Sequence, residues 1–444
     1  MREVLYSPSG FYSPNYLRMK IDTNDSFLDF ETLSDIGAAT FLHEYVHFLQ
    51  DITTTYGLFN LCTEVDFIKL FNSKLQKPEV NFIQVPFIST EEDGNTHWNL
   101  EMRKIWIGGG EHENYRGEYV VEKESQNIQI GEQIKPLQRI YLQWGNKEDG
   151  GVKYYFGSYC ISEGMAYEIE QLIYPGVIPQ PPQMPYLSTR MVADKIYPNF
   201  TKNTENLIAL CDACMMYNDP GSLFFETLVK MERTGYYPER PEDIYNYVYD
   251  GVIFDYQNIN RPLELMYFAS HLANTQLSDY FRSNIFEANS IWVARTLAAA
   301  ENLRTQIPSF ILDLARSGDI RKSIIFKAIK NTLGTPVIVN NQNEMFFENV
   351  LNSSGYIIKP EYFWVFNEIK DLLTKDWNKR MNLCDLKNFC DKSCDDRGEN
   401  HFTDHRCYSS PWDRSNDPNP ELCVFGATWK TWALQGKELV QSEN

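Results

Sequence analysis

Residues 40–49 read Thr-Phe-Leu-His-Glu-Tyr-Val-His-Phe-Leu. His43 and His47 are four positions apart, and in a helix such positions project from one face a turn apart. Two imidazoles placed this way can share one Zn2+ at about 2.0–2.1 Å each. Glu44, next to the first histidine, points toward the same cleft and can accept a proton from water activated there. Phe41, Tyr45, Val46, Phe48 and Leu49 carry no charge, as a helix buried behind a reaction site requires. The chain has seven histidines and 34 glutamates among 444 residues, so chance supplies only about 0.01 matches to H-E-x-x-H. The bland alternative is a His/Glu/His cluster on a solvated helix, and it fits badly with so apolar a surround.

This pattern resembles that of the zincin metallopeptidases, which are named for it. The resemblance covers the ten-residue helix directly and implies a third protein ligand. A metzincin would continue x-x-Gly-x-x-His after the second histidine. Here Phe48-Leu49-Gln50-Asp51-Ile52-Thr53 follows, which leaves the gluzincin arrangement, with a carboxylate from a second helix. Ser162-Glu163-Gly164-Met165-Ala166 is similar to the Asn-Glu-Gly-Phe-Ala type of ligand helix in gluzincins, and this makes Glu163 the expected third ligand. Small residues at Gly164 and Ala166 would let that helix close on the motif helix.

The departure from the family is spacing, since 115 residues separate His47 from Glu163. Glu163 also reads as an acid complementing a helix N-terminus. The competing ligands are Glu64, Asp66, Glu168 and Glu170. Asp66 follows His47 after 18 intervening residues, a familiar gluzincin interval, whereas Glu168 and Glu170 read as surface acids. The resemblance implies hydrolysis, with Glu44 as base and a further donor steadying the oxyanion. Zincins often use Tyr or His for that donor, so Tyr155, Tyr159, Tyr167 and His112 are the candidates.

The elements that must position these groups follow from periodicity. Ser34-Asp35 offers a helix start, and the apolar period runs to about Thr55, where Tyr56-Gly57 supplies a stop. Residues 78–155 hold short β-branched and aromatic runs at Val80–Val85, Lys104–Ile107, Glu118–Val121 and Arg139–Leu142, separated by Gly- and Asp-rich turns. From Ser158 the period is helical, and Asn203 to about Thr374 reads as helices broken at prolines and glycines. The expected class is therefore α+β: a mainly helical, zincin-like metallopeptidase with a β-rich insertion, about 78–155, between its two metal-ligand helices. Its expected parts are a catalytic region over 1–175, a helical domain over 176–375 and a Cys-rich C-terminal module over 376–444.

Five of the nine cysteines, Cys384, Cys390, Cys394, Cys407 and Cys423, fall in that last part, with His401 and His405 among them. Residues 391–420 hold too little apolar surface to build a core. A second, structural Zn2+ on Cys390, Cys394, Cys407 and Cys423 is one reading, with Cys384 or His405 as substitutes and an iron–sulfur cluster behind zinc. Reduced thiols in a docked extension are the other. Cys211 and Cys214 read as core packing.

Lys and Arg number 41 against 60 Asp and Glu, a net charge of −19. So acidic a chain should repel phosphate backbones, which argues against nucleic acid and leaves cationic or neutral polypeptide as the easier partner. The start Met1-Arg2-Glu3-Val4-Leu5-Tyr6-Ser7-Pro8 has no signal-peptide apolar run, and no window reaches a membrane span's length, so a soluble, cytoplasmic protein without a membrane partner is expected. The expected function is zinc-dependent hydrolysis of peptide bonds in a protein or peptide. The alternatives are a non-catalytic zinc protein whose helical domain binds a protein partner, and a redox protein centred on the tail.

Overall fold

The computed structural model describes residues 5–7, 10–13, 17–111, 113–130, 133–145, 151–251, 259–280, 283, 285–348, 358–377, 383–392, 403–418 and 423–442. The chain opens with strands β1 (Leu5–Ser7), β2 (Gly10–Ser13) and β3 (Arg18–Ile21), then helices α1 (Asp35–Thr53) and α2 (Thr55–Leu75). Next come β4 (Phe82–Val85), α3 (Asn95–Ile107), the long hairpin β5 (Tyr119–Ile130) and β6 (Gln133–Trp144), then β7 (Val152–Phe156) and α4 (Ser158–Ile173). A run of helices follows: α5 (Ser188–Ile196), α6 (Thr204–Cys214), α7 (Pro220–Thr234), α8 (Asp243–Gly251), α9 (Pro262–Tyr280), α10 (Glu287–Gln306), α11 (Phe310–Ala315) and α12 (Ile324–Leu333). The last part holds β8 (Val337–Val339), β9 (Met345–Phe346), α13 (Glu361–Thr374), α14 (Lys387–Lys392), α15 (Arg406–Ser409), α16 (Val424–Thr431) and β10 (Glu438–Gln441). The architecture is α+β, mainly helical with three small sheets among the described residues. No described helix is long and apolar enough to cross a membrane.

Helix α1 starts as the sequence predicts. Ser34 caps it by accepting the Gly37 N–H at 3.0 Å, and Asp35 sits in the first turn, where its charge complements the helix dipole. From Gly37 to Thr53 every residue is buried, so α1 is a core helix covered on all sides. It packs against α2, α4, α10 and β2. The expected stop at Tyr56-Gly57 is not there: Thr54 ends α1 and caps α2 by accepting the Gly57 N–H at 3.1 Å. Gly57 serves the sharp junction between the helices, since a Cβ on it would lie 2.3 Å from the Asp51 carbonyl oxygen.

The segment between α2 and α4 is β-rich, but Lys104–Ile107 is no strand. Those residues form the last turn of α3, which packs on α2 and ends at Gly108 with φ of 73°. A four-residue aliphatic-aromatic run has no period long enough to separate helix from strand, and the flanking glycines suit either. Strands β5, β6 and β7 form one antiparallel sheet, while β4 pairs with β10 in parallel. β8 and β9 join the N-terminal strands in the order β1-β2-β3-β8-β9, so the helical stretch returns to the sheet beneath α1.

The apolar core runs through all these segments without a break, from Tyr12 to Leu439. The C-terminal part contributes through Trp429 against Phe71, with ring centroids 6.0 Å apart, and Trp432 stacked on Phe366 at 5.8 Å. Within it, Cys384, Cys407 and Cys423 are buried.

Two buried charge networks cross the core. Glu64 of α2 receives Arg103 from α3 and Lys370 from α13, all three buried. Burial pushes the Glu64 carboxyl up, but Lys370 and Arg103 outweigh that and hold it at about 2. A carboxyl depressed on folding stabilises above its unfolded pKa, here about 4.5, and the contribution is lost as pH falls toward 2. The size is on the order of 3 kcal/mol. Urea unfolding of wild type and Glu64→Gln should therefore show a stability gap that is full at pH 5 and above and narrows steadily toward pH 2. A gap independent of pH would sink this account. The second network, at Asp212 and Arg304, touches α1 itself.

Candidate metal centre

Helix α1 presents His43 and His47 toward α4, which presents Glu163. One donor atom from each of the three lies within 4.8 Å of the others, and all three residues are buried. His43 Nε2 is 3.2 Å from Glu163 Oε2, and His47 Nε2 is 3.5 Å from the same oxygen. The imidazole rings meet edge to face with centroids 5.0 Å apart.

The outer nitrogens of both rings decide the chemistry of the inner ones. His43 Nδ1 lies 2.9 Å from Glu170 Oε2. An ionised carboxylate only accepts, so His43 Nδ1 carries the hydrogen and, in the neutral ring, Nε2 carries the lone pair. His47 Nδ1 lies 2.9 Å from Gln50 Oε1, while Gln50 Nε2 donates to the Ser162 carbonyl at 3.0 Å. That second bond fixes the amide, so Gln50 Oε1 accepts and His47 also turns a lone pair inward. Two lone pairs and a carboxylate then face one another in a buried space, which is repulsive unless a cation or proton sits among them. Glu163 Oε1 is buried with no hydrogen-bond partner among the described residues. Burial alone would lower the pKa of His43, but Glu163 and Glu170 reverse this and hold it well above the usual histidine range. The donor set thus fits a metal ion, with Glu170 and Gln50 as the groups that orient its ligands.

The sequence reading placed Glu170 and Glu168 on the surface, and both are buried. Glu170 follows Glu163 by seven positions, two helical turns on the same face, a spacing that could have exposed its role. Glu168 pairs with Arg190 of α5 at 2.6 Å. Glu64 is held by Arg103 and Lys370, and Asp66 faces Gln276 of α9, so neither belongs to the donor set. Gly164 is needed, though not for the contact with α1: a Cβ there would lie 2.5 Å from Thr189 Oγ1 of α5. Replacing Glu170 by Gln should weaken Zn2+ binding by about 10–100-fold in competition with a chromophoric chelator, because the ring loses its charged anchor. Unchanged affinity would show that His43 needs no orienting carboxylate.

Glu44 is fully buried beside His43, close enough for its charge to favour the protonated ring. Of the proposed oxyanion donors, Tyr159 lines a cavity of about 50 Å³ together with His47, Gln50 and Ser162. Tyr155 is not at the centre. The alternation of β7 turns it away from buried Tyr154, its hydroxyl donates to Glu124 at 2.9 Å, and Arg139 stacks 3.5 Å over its ring. Tyr167 meets Tyr186, with centroids 6.3 Å apart, and burial, then the charges of nearby Glu168 and Glu170, raise its phenol. His112 lies outside the described residues.

Sequence reasoning missed Gln50 as an orienting group and also Tyr186, in the loop before α5. Tyr186 is buried with its ring centroid 6.0 Å from His43. Burial, followed by Glu163, Tyr159 and Glu44, raises its phenol far above the usual tyrosine range, so it stays a hydrogen donor. Its neighbours in sequence, Pro181-Pro182-Gln183-Met184-Pro185, give no period that could have marked it.

The described tail cysteines are neighbours, since after burial and Glu368, Cys423, Cys390 and Cys407 each help to push the Cys384 thiol up. Among the described residues, Cys390, Cys407 and Cys423 are not brought within 4.8 Å as a trio, and Cys394 and His401 lie outside those residues. Burial pushes the Cys384 thiol well up, with Glu368 adding to it, and burial raises Cys390 to about 12. Cys423 caps α16 through its sulfur, which accepts the Gly426 N–H at 3.4 Å. Cys211 and Cys214 are fully buried on α6.

Compared with models of known protein families, with curated proteins and with solved structures, the chain matches none.

Proposed function

We propose that the protein is a zinc-dependent hydrolase of peptide bonds, acting on a protein or peptide. The observation that carries this reading is the convergence of His43 Nε2, His47 Nε2 and Glu163 in one buried donor set with Glu44 against it. Two imidazoles and one carboxylate are a common ligand set for catalytic zinc. His43, His47 and Glu163 would hold the ion, and Glu170 and Gln50 keep the two rings in the ligating tautomer. When bound, such an ion supplies Lewis acidity, polarising a carbonyl and acidifying water. Glu44 takes a proton from the attacking water on a carboxylate oxygen and later delivers it to the departing nitrogen. Tyr186, whose ring lies beside His43, and Tyr159, which lines the cavity at His47, are the phenolic O–H donors for the oxygen on which charge develops. The burial of all these groups keeps bulk water from competing for their hydrogen bonds.

A second reading has one observation in its favour. His43, His47, Glu44 and Glu163 are each at most 1% exposed, as befits a metal that only braces α1 against α4. Proteome-wide mapping of new protein N-termini in cells carrying wild type or Glu44→Gln separates the two. The hydrolase reading expects a set of termini present only with wild type, and identical termini would leave the bracing role.

A further inference from the structure

Beyond the small cavity at His47 lies a larger one, of about 210 Å³, between α2, α3 and α9. The two share Tyr56, Asn60 and Arg103 as walls. The larger cavity has far more room than the 10–15 Å³ or so that a single water needs. We propose that it is a recognition pocket for a cationic side chain, lysine or arginine, of the polypeptide substrate. This rests on the hydrolase reading for the word substrate, but the pocket itself is argued from its own atoms.

The lining is rich in acceptors. Asp66 is half-buried and forms no ion pair among the described residues. Among the described residues its hydrogen bonds are two long ones from Gln276 Nε2, at 3.3 and 3.5 Å, and the charge of Lys69 also acts on it. With its nitrogen turned to Asp66, Gln276 leaves Oε1 buried with no hydrogen-bond partner among the described residues, and Asn218 Oδ1 is in the same condition. Each such oxygen gains from a donor placed within the cavity. Three acceptor side chains around one space ask for a guest that carries several N–H groups. An ammonium brings three and a guanidinium five. Arg103 in the wall is paired with Glu64 through Nη1, and among the described residues no hydrogen bond joins it to Asp66, Gln276 or Asn218. Phe59 and Trp106 line the same space, which suits the alkyl stem of either side chain and adds attraction between a cation and a ring face. Among the described residues Asp66 carries the one carboxylate in this lining, and a cation placed there would meet it at a half-buried position, where charge pairing is stronger than in open water.

The test uses the intact protein and binding, so it does not depend on turnover. Calorimetric titration with Nα-acetyl-arginine amide and Nα-acetyl-lysine amide should give saturable binding to wild type. Asp66→Asn, which keeps the shape, should bind the arginine probe at least tenfold more weakly. Nα-acetyl-citrulline amide, the same length without charge, should be weaker on wild type by a similar factor. Equal affinity in Asp66→Asn, equal affinity for citrulline, or no saturable binding would each overturn the pocket. Glu44→Gln should bind the arginine probe like wild type, so loss of cleavage in that variant leaves the pocket in place. Conversely, termini that depend on Glu44 but show no basic residue at a fixed distance from the cut would overturn the pocket and leave the hydrolase standing.

Discussion

Purified Glu44→Gln is expected to retain zinc at wild-type stoichiometry and to cleave about 10²–10⁴-fold more slowly than wild type. The two halves of that result come from different atoms. The donor set is His43, His47 and Glu163, and replacing Glu44 by its amide leaves these side chains and their partners Glu170 and Gln50 unchanged. Glutamine occupies the same volume at a position with no exposed surface, so the packing of α1 is kept. What is lost is basicity, since an amide oxygen cannot hold a proton between the attacking water and the leaving nitrogen. His43→Ala is the complementary control: it removes a ligand, and zinc should then be lost along with activity. Metal analysis and single-turnover cleavage on the same preparations read both halves. Zinc retained with full activity in Glu44→Gln would sink the role given to Glu44, and zinc lost in that variant would move Glu44 into the ligand set.

The part of this site that could be read in the sequence is the part that one helix encodes. His43, Glu44 and His47 sit at a fixed spacing on α1, and the helical period alone puts the two imidazoles together. Glu163 needed a second clue, because the meeting of α1 and α4 across 115 intervening residues is a fact of packing, which no local pattern carries. It was legible only because residues 162–166 are similar to a ligand helix. The orienting groups divide the same way. Gln50 and Glu170 lie at i+3 and i+7 from ligands and were there to be found. Tyr186 comes from a proline-rich loop whose position is set by α4 and α5 together, and it could not be. Tyr155 failed for a local reason: it lies on a strand, and period two sent it to the face away from Tyr154.

Errors in the fold have similar causes. Lys104–Ile107 was too short a run to reveal its helix, and Gly57 read as a terminator because glycine ends helices more often than it makes room between them. The pairing of β4 with β10 joins residues 82–85 to 438–441, and sequence patterns say nothing of partners so far apart.

Arg304→Ala is expected to destabilise the protein by about 3–5 kcal/mol, the cost of leaving a buried charge without its partner. Arg304, on α10, and Asp212, on α6, are both fully buried. The guanidinium spans the carboxylate with bonds of 2.6 and 2.9 Å, and Tyr245 donates to the same carboxylate at 2.7 Å. Arg304 also donates to the Thr53 carbonyl at 3.1 Å and to the Thr53 hydroxyl at 2.9 Å. Thr53 is the last residue of α1, so the same cation satisfies a terminal carbonyl that the helix cannot bond internally. Removing it therefore does two things: it strands Asp212 in the core, and it frees the end of the helix that carries both histidines. The two effects can be separated. A second substitution, Asp212→Asn, removes the stranded charge and should recover part of the stability lost in Arg304→Ala, with a coupling energy of about 0.5–3 kcal/mol in a double-mutant cycle. It should not restore the hold on Thr53. Zinc affinity in the double variant should thus remain below wild type even where stability has partly returned. Additive losses in the cycle would show that Asp212 and Arg304 do not act as a unit, and wild-type zinc affinity in the double variant would show that the anchoring of α1 at Thr53 does not matter to the centre.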